Sequence, residues 1–388
     1  MIRTDDFRTK TEYREKDNGK LPGIWEIAMD AGYSAVKHMG PNSYGRFPSF
    51  AKKSNTKIQF AGAEPDTAIQ YIGDDGSYWI VGDQAYSRLE KGDTSDSESV
   101  LFGRERYFSP MWKVITDVGL AMSLTSNKVR SLETNDRIVL QTGLPERYLT
   151  DTGELTDSLK GQHQFSLKVG RKPWQRFSFY INEQDIYVMS QPKGTLYSVC
   201  MDKDGKPDPN ARIYLQSSGL VFDPGFGTLD IFPIVNGAVG KGETFADLGM
   251  KRVLEDTAAK IYEKYHEMLT VPQLQKALAD GVVRHADMRT FTSTEYDFSS
   301  ILEEVSHNVC DEAITRLASA LPLSEYNYMI VTGGTGAAWY QQIEDKFKAF
   351  STLKILKGNE NDGLALVYSN CRGYYLYRQG KLRREARS

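Results

Sequence analysis

Two segments of the chain carry the same order of residue types. In IAMDAGYSAVKHM (27–39) an apolar run reaches Asp30, turns at Gly32 and resumes with Ser34 and Lys37. In GLVFDPGFGTLDIFPIVNG (219–237) a second apolar run reaches Asp223, turns through Gly225 and Gly227, and resumes after Thr228. A glycine turn bares backbone N–H groups that can converge on an anion. Lys37 adds a point charge suited to phosphate. Ser34 and Thr228 can donate hydroxyls, although such residues in turns more often serve their own backbone. If the hairpins face each other, Asp30 and Asp223 form a like-charged pair that needs a cation between them, and a hard, oxygen-liganded Mg²⁺ fits. Each hairpin alone is equally well an ordinary charged turn. The shared grammar points to equivalent parts of two similar α/β domains facing a cleft.

Gln191 ends the apolar run IYVMS. An amide is no strong base, but it can orient a water for in-line attack on a γ-phosphorus; its plainer reading is a turn residue before Pro192. The loop TGGTG (332–336) follows the strand-like YMIV. Its Gly333, Gly334, Thr335 and Gly336 would admit a flat or phosphorylated ligand beside a helix N-terminus, or merely turn the chain. It is not a P-loop, since no G-x-x-x-x-G-K-[ST] occurs, and it makes a poor dinucleotide fingerprint. Neither a G-x-S-x-G elbow nor H-E-x-x-H is present. The five histidines are dispersed without metal-ligand spacing and read as structural or surface residues.

These residues need elements to carry them. Residues 1–21 read as a loose leader. From 22 to 50 the pattern is two strands around a tight turn, and GAEPDTAIQYIGDDGSYWIVGDQA supplies two more around GDDG. The polar stretch 86–99 reads as a solvated loop. MWKVITDVGLAMSL has helical spacing, and RIVLQTGLPERYL reads as a buried strand and turn. Strands are predicted on both sides of NEQD, then a Gln–Pro turn and a helix. The hydrophilic 201–212 reads as an exposed insertion, and 245–320 as a helical region. The chain closes with strand, glycine turn and helix over 326–347, then a final helix.

With 388 residues the chain can hold two or more domains with large cores. Its 40 % hydrophobic and 26 % charged composition is that of an ordinary globular protein. A formal net charge of -3 gives no case for direct nucleic-acid binding; the basic stretch RQGKLRREARS is a small solvated tail or contact patch. Three scattered cysteines argue against a disulfide framework and for a reducing compartment. No apolar run suits a signal peptide or a membrane span, so a cytoplasmic protein is expected.

The segments DAGYSAVK (30–37), FPSF (47–50), VGDQAYSR (81–88), YVMSQ (187–191), DPGFGTLD (223–230), DLG (247–249) and VTGGTG (331–336) occur in one order that resembles the actin-like ATPase superfamily, above all the bacterial plasmid-segregation actins of the ParM type. The resemblance covers about residues 22 to 375 and implies an α/β actin-like fold: two ribonuclease-H-like domains around a nucleotide cleft, each with a mixed five-stranded sheet, with crossing helices as a hinge. The implied division is a first domain of 22–185 plus 371–388 and a second of 186–370. It implies that Asp30 and Asp223 hold the waters of a bound Mg²⁺. Gly32, Ser34, Lys37, Gly225, Gly227 and Thr228 would contact phosphates, Gln191 would position the attacking water, and Gly333, Gly334, Thr335 and Gly336 would line base and ribose. Tyr33 departs from the serine that senses the γ-phosphate in actins, and Pro224 and Phe226 are bulky for the second loop. The function implied is an ATPase, with GTP as the alternative nucleotide, that polymerises into filaments and segregates plasmid DNA through a DNA-binding adaptor. The alternative is a small-molecule kinase of the same superfamily, which Gln191 disfavours where a carboxylate base is needed; a nucleotide-binding scaffold without hydrolysis is a third. A chaperone would need a peptide-binding domain for which nothing remains after residue 375.

Overall fold

The computed structural model describes residues 3–89 and 103–387. The chain has an actin-like fold built on two sheets of related design. In the first sheet the strands run Glu12–Glu15, Ser43–Pro48, Ala35–Gly40, Ile24–Ala31, Arg137–Leu144 and Ile186–Ser190. The hairpin Ile24–Ala31/Ala35–Gly40 is antiparallel, and its first strand continues through two parallel neighbours. The other sheet repeats this. The hairpin Gly219–Pro224/Leu229–Val235 is antiparallel, and its first strand pairs in parallel with Tyr328–Val331, which in turn pairs with Lys354–Lys357. Each sheet has six strands rather than the five expected, because edge strands are added. A separate five-stranded antiparallel sheet contains Ala51–Ser54, Ile69–Gly73, Tyr78–Val81, Gly161–Val169 and Gln175–Ile181.

The hairpin strands are apolar on both faces because helices cover both. Pro110–Ser123 packs on one face of the first sheet, its N-terminus capped by the Ser109 hydroxyl accepting from the Trp112 N–H. The final helix Ser369–Glu385 covers the other face through Cys371, Tyr374 and Tyr375. In the second sheet, the helices Met250–Tyr265, Ser299–Ala320 and Gly334–Phe347 join the Leu220, Phe222, Leu229 and Ile231 side chains in one core. The helix Gln191–Val199 crosses Ser369–Glu385 at two glycines: a Cβ on Gly373 would lie 1.7 Å from the Gly194 carbonyl oxygen.

Three expectations are corrected. The leader is not loose: Glu12–Glu15 is a strand paired with Ser43–Pro48, and Thr4 is buried. Gln191 and Pro192 do not form a free turn but begin a helix, where proline's missing N–H costs nothing. The strand Ile186–Ser190 completes the first sheet, in parallel with Arg137–Leu144. A hairpin, Val282–Asp287/Thr292–Asp297, interrupts the helical region. The insertion 201–212 is a polar turn closed by a Met201–Pro207 bridge, leading into the short helix Ala211–Gln216. Of the polar stretch 86–99, residues 90–99 lie outside the described residues; Asp83–Ser87 is a short helix.

Candidate functional site

The two hairpins close in the same way. The Gly32 N–H donates to the Ala35 carbonyl at 3.0 Å, and the Gly225 N–H to the Thr228 carbonyl at 2.8 Å. Each aspartate occupies the same register. Asp30 pairs across its hairpin with Lys37, and Asp223 with Asp230. Loop carbonyls are engaged from behind in both. Ser49 donates its hydroxyl to the Gly32 carbonyl and its N–H to the Ser34 carbonyl. The Gly225 carbonyl accepts from the Thr335 hydroxyl and the Met250 N–H, and the Phe226 carbonyl from the Lys251 N–H. Drawing carbonyls backward turns the opposite, donor-bearing side of a turn forward, which is how a backbone nest for anions is made.

Both loops line one cavity of about 300 Å³. Its walls include Asp30, Gly32, Ser34, Lys37, Gln191, Asp223, Gly225, Gly227, Thr228, Gly333, Gly334 and Thr335. Gly336 is not on the wall; it lies in the first turn of the helix Gly334–Phe347, buried against Val331 and Pro224. Gly333, at φ +81°, must be glycine twice over, because a Cβ there would also meet the Asp223 carboxylate at 2.6 Å. The Thr228 hydroxyl donates to Asp230 at 3.0 Å, so its proton serves that carboxylate rather than a ligand.

Asp30 is buried and accepts from the Lys37 ammonium and the Gln191 amide, each at 3.0 Å. A carboxylate only accepts, so the Gln191 amide nitrogen faces Asp30 and its carbonyl oxygen is left to accept elsewhere. Asp223 is buried and accepts from the Asn370 amide at 2.8 Å. Burial pushes its carboxyl up to about 6, the Asp30 charge adding to the rise while Asn370 and Lys37 oppose it. Asp230 is pushed up to about 7, again mainly by burial, with the Asp223 charge adding and the Thr244 and Thr228 hydroxyls opposing. Among the described residues no three such side chains gather as a metal cluster, but the buried Asp30 and Asp223 on one cavity suit a hard divalent cation that keeps most of its waters, and its charge would favour the ionised form of Asp223. The donor set therefore fits Mg²⁺ held by Asp30 and Asp223.

Sequence reasoning passed over several residues here. Asp230 stands at the same offset from Asp223 as Lys37 from Asp30, a signal that comparison of the two hairpins contains. Asn370 comes from the distant final helix and joins Asp223 to a buried chain of hydroxyls: its side-chain oxygen accepts from Thr195 at 2.7 Å, and Thr195 meets Thr332 at 2.8 Å. Arg106 and the N-terminal Asp6, Phe7, Arg8 and Thr9 also line the cavity. The Tyr33 ring lies against Gly227 of the opposite loop, where a Cβ would sit 2.6 Å from its Cδ2. The bulky residue in the first loop thus fills the space that a glycine leaves in the second.

Residues 28–194 match the family profile "Actin like proteins N terminal domain". No curated protein sequence matches the chain. Among solved structures, the non-polymerisable quadruple mutant of pCBH ParM is 18% identical, with 92% of this chain and 99% of that chain covered at a TM-score of 0.70. The 15-stranded ParM filament from Clostridium botulinum is 17% identical over 92% of this chain and 99% of that chain, TM-score 0.67. The archaeal actin homolog Ta0583 in complex with ADP is 16% identical over 92% of this chain and 100% of that chain, TM-score 0.62. Matched hairpins on two related sheets, a cavity between them and the profile over 28–194 give this chain an actin-like fold, similar to that of the ParM structures.

Proposed function

We propose that this protein binds and hydrolyses ATP, or GTP, in the cavity between Asp30 and Asp223, and that the bound nucleotide controls its assembly into filaments. The observation that carries this reading is the pair of matched Asp–Gly hairpins on one cavity, with Gln191 hydrogen-bonded to Asp30. The ADP complex of one fold neighbour and the filament of another support it. The first body, roughly 22–190 with the final helix, and the second, roughly 191–368, would close on the nucleotide about the Gly194–Gly373 crossing.

Each residue then has a task. The loop N–H groups and Lys37 hold the phosphates. Mg²⁺ on Asp30 and Asp223 would neutralise phosphate charge. Gln191, its amide nitrogen fixed by Asp30, offers its carbonyl oxygen to a water hydrogen and so aims the water's lone pair at the γ-phosphorus. A bond forms from the water oxygen to phosphorus, the bond to the β–γ bridging oxygen breaks, and the water's protons pass to phosphate oxygen and solvent. Assembly follows nucleotide state only through a difference in nucleotide affinity between free and assembled subunits. A cytoplasmic plasmid-segregating filament that reaches DNA through an adaptor fits the net charge of -3.

Light scattering and phosphate release, followed together after mixing protein with Mg²⁺ and ATP or GTP, test the reading. Scattering that rises with nucleotide and decays as phosphate appears is expected. Flat scattering, with phosphate transfer only when a small hydroxyl compound is added, would replace the filament with a kinase.

A further inference from the structure

Four cationic side chains line the cavity: Arg8, Lys37, Arg46 and Arg106. Three have carboxylate partners. Arg8 meets Asp5 and Asp83, Lys37 meets Asp30, and Arg46 meets Glu12. Arg106 pairs with no carboxylate among the described residues, yet it is the buried one, only 8 % exposed. Its guanidinium carbon lies 4.5 Å from the Tyr33 ring centre and 4.4 Å from that of Trp112, and one nitrogen donates to the Ala31 carbonyl at the base of the first loop.

A guanidinium cannot escape its charge by losing a proton. Contacts with aromatic faces recover part of its lost hydration, and a carbonyl recovers a little more, but an ion buried without a counter-ion remains costly. Among the described residues none supplies that counter-ion, and an anion entering the cavity that Arg106 lines would do so. A planar fork of N–H donors matches the oxygens of a phosphate or a carboxylate, and the two glycine loops beside it are shaped to receive phosphate. The position selects which phosphate. Arg106 packs on Tyr33, and Tyr33 touches Gly227, so Arg106 stands where the two loops meet. Gly333, Gly334 and Thr335 belong to the separate loop after Tyr328–Val331, on the side proposed for base and ribose.

We propose that Arg106 binds the terminal phosphate of a nucleoside triphosphate, and that Tyr33 and Trp112 hold its guanidinium in place for it. This rests on the nucleotide reading above. Arg106 then distinguishes triphosphate from diphosphate.

Dissociation constants for ADP and for a non-hydrolysable ATP analogue, measured by calorimetry with Mg²⁺, test the assignment. Arg106→Gln should weaken the ATP analogue by roughly tenfold or more, the scale of a charge-assisted hydrogen bond, while ADP affinity stays within about twofold. Arg106→Lys should fall between, keeping the charge and losing the fork. ADP affinity doubles as the folding control, and if the glutamine variant binds neither nucleotide, the ratio in the lysine variant decides. An unchanged ratio of ATP-analogue to ADP affinity in the variants overturns the role of Arg106 alone. No binding of either nucleotide by the unsubstituted protein overturns the nucleotide reading and this assignment with it.

Discussion

Gln191 is the residue on which the hydrolysis reading can be separated from nucleotide binding. Its amide touches Asp30 but it supplies no charge, so removing it should leave the phosphates and cation held. Gln191→Ala is expected to retain nucleotide affinity and nucleotide-dependent scattering, and to slow phosphate release about 100-fold, the scale of a lost positioning contact. Single-turnover phosphate release measures this; a rate within a factor of two of the unsubstituted protein would remove Gln191 from the chemistry. A second residue carries a pH signature. His38 is buried, neither ring nitrogen has a hydrogen-bond partner among the described residues, and burial lowers its pKa to about 3. Between about pH 3 and 6.5 the unfolded chain then binds a proton at this residue that the folded chain does not. Stability contributed here falls as pH drops through that window, by about 1.4 kcal/mol per unit. His38→Phe should flatten the fall between pH 6 and 4.5 in urea unfolding; an equal slope in both proteins would refute it. Residue types legible in the sequence were those with a local pattern: aspartate, glycine and hydroxyl within one turn. Arg106 and Asn370 have none, because only tertiary packing brings them to a cavity whose other walls lie far away in the chain.

At the scale of elements, the crossing of Gln191–Val199 over Ser369–Glu385 links packing to the site. The glycines let the helices touch, and Asn370 and Thr195, on either side of the contact, carry the hydrogen bonds that end on Asp223. Gly373→Ala puts a methyl group on the Gly194 backbone, which must move; overpacking of this kind costs about 1–3 kcal/mol. Gly380→Ala on the same helix meets nothing within 4 Å and should stabilise by about 0.5–1 kcal/mol through helix propensity. Opposite signs in denaturant midpoints are expected, with weaker nucleotide binding only for Gly373→Ala. The N-terminal segment is the other link. Thr4 donates to the Leu278 carbonyl at 2.9 Å and Phe7 packs on the second core, while the Thr11 N–H donates to Asp83 at 2.8 Å and Glu12–Glu15 joins the first sheet. A few residues thus span the two bodies beside the cavity, and separating the bodies must release one anchor. Thr4→Val, which removes only the hydrogen bond, should speed ADP release about threefold to tenfold, whereas Thr4→Ser should not; identical rates in stopped-flow release would show that the segment does not restrain opening. Polar residues without periodicity made this segment look like a leader, and its order comes from partners in both bodies. The hairpin Val282–Asp287/Thr292–Asp297 was hidden for a related reason: its second strand is exposed on both faces, so it lacks the alternation that a half-buried strand writes into sequence.

For the whole molecule, the proposed polymerisation sets a condition that a dimer does not. An open filament needs two different patches that cannot meet on one subunit. Two exposed apolar groups meet that condition. Phe291, 85 % exposed, and Met288, 73 % exposed, sit at the tip of the hairpin whose base adjoins Gly281 and Thr4. Val239 and Ile213 lie at the opposite end of the second sheet from the nucleotide loop, where Gly219 pairs with Ile234. Charge placed on an exposed side chain costs little folding stability, so Phe291→Glu and Val239→Glu should each abolish nucleotide-dependent scattering while basal phosphate release continues. The mixture is the sharper measurement. Each variant keeps one intact patch, so if the two patches face each other in the filament, equal amounts should join once and then stop. Sedimentation of the mixture with Mg²⁺ and a non-hydrolysable triphosphate should therefore show dimers, where either variant alone shows monomers and the unsubstituted protein shows polymer. Polymer formed by either variant alone would take its patch out of the filament contact. Monomers in the mixture would mean that the two patches do not face each other, because a head-to-tail contact between them survives in every mixed pair.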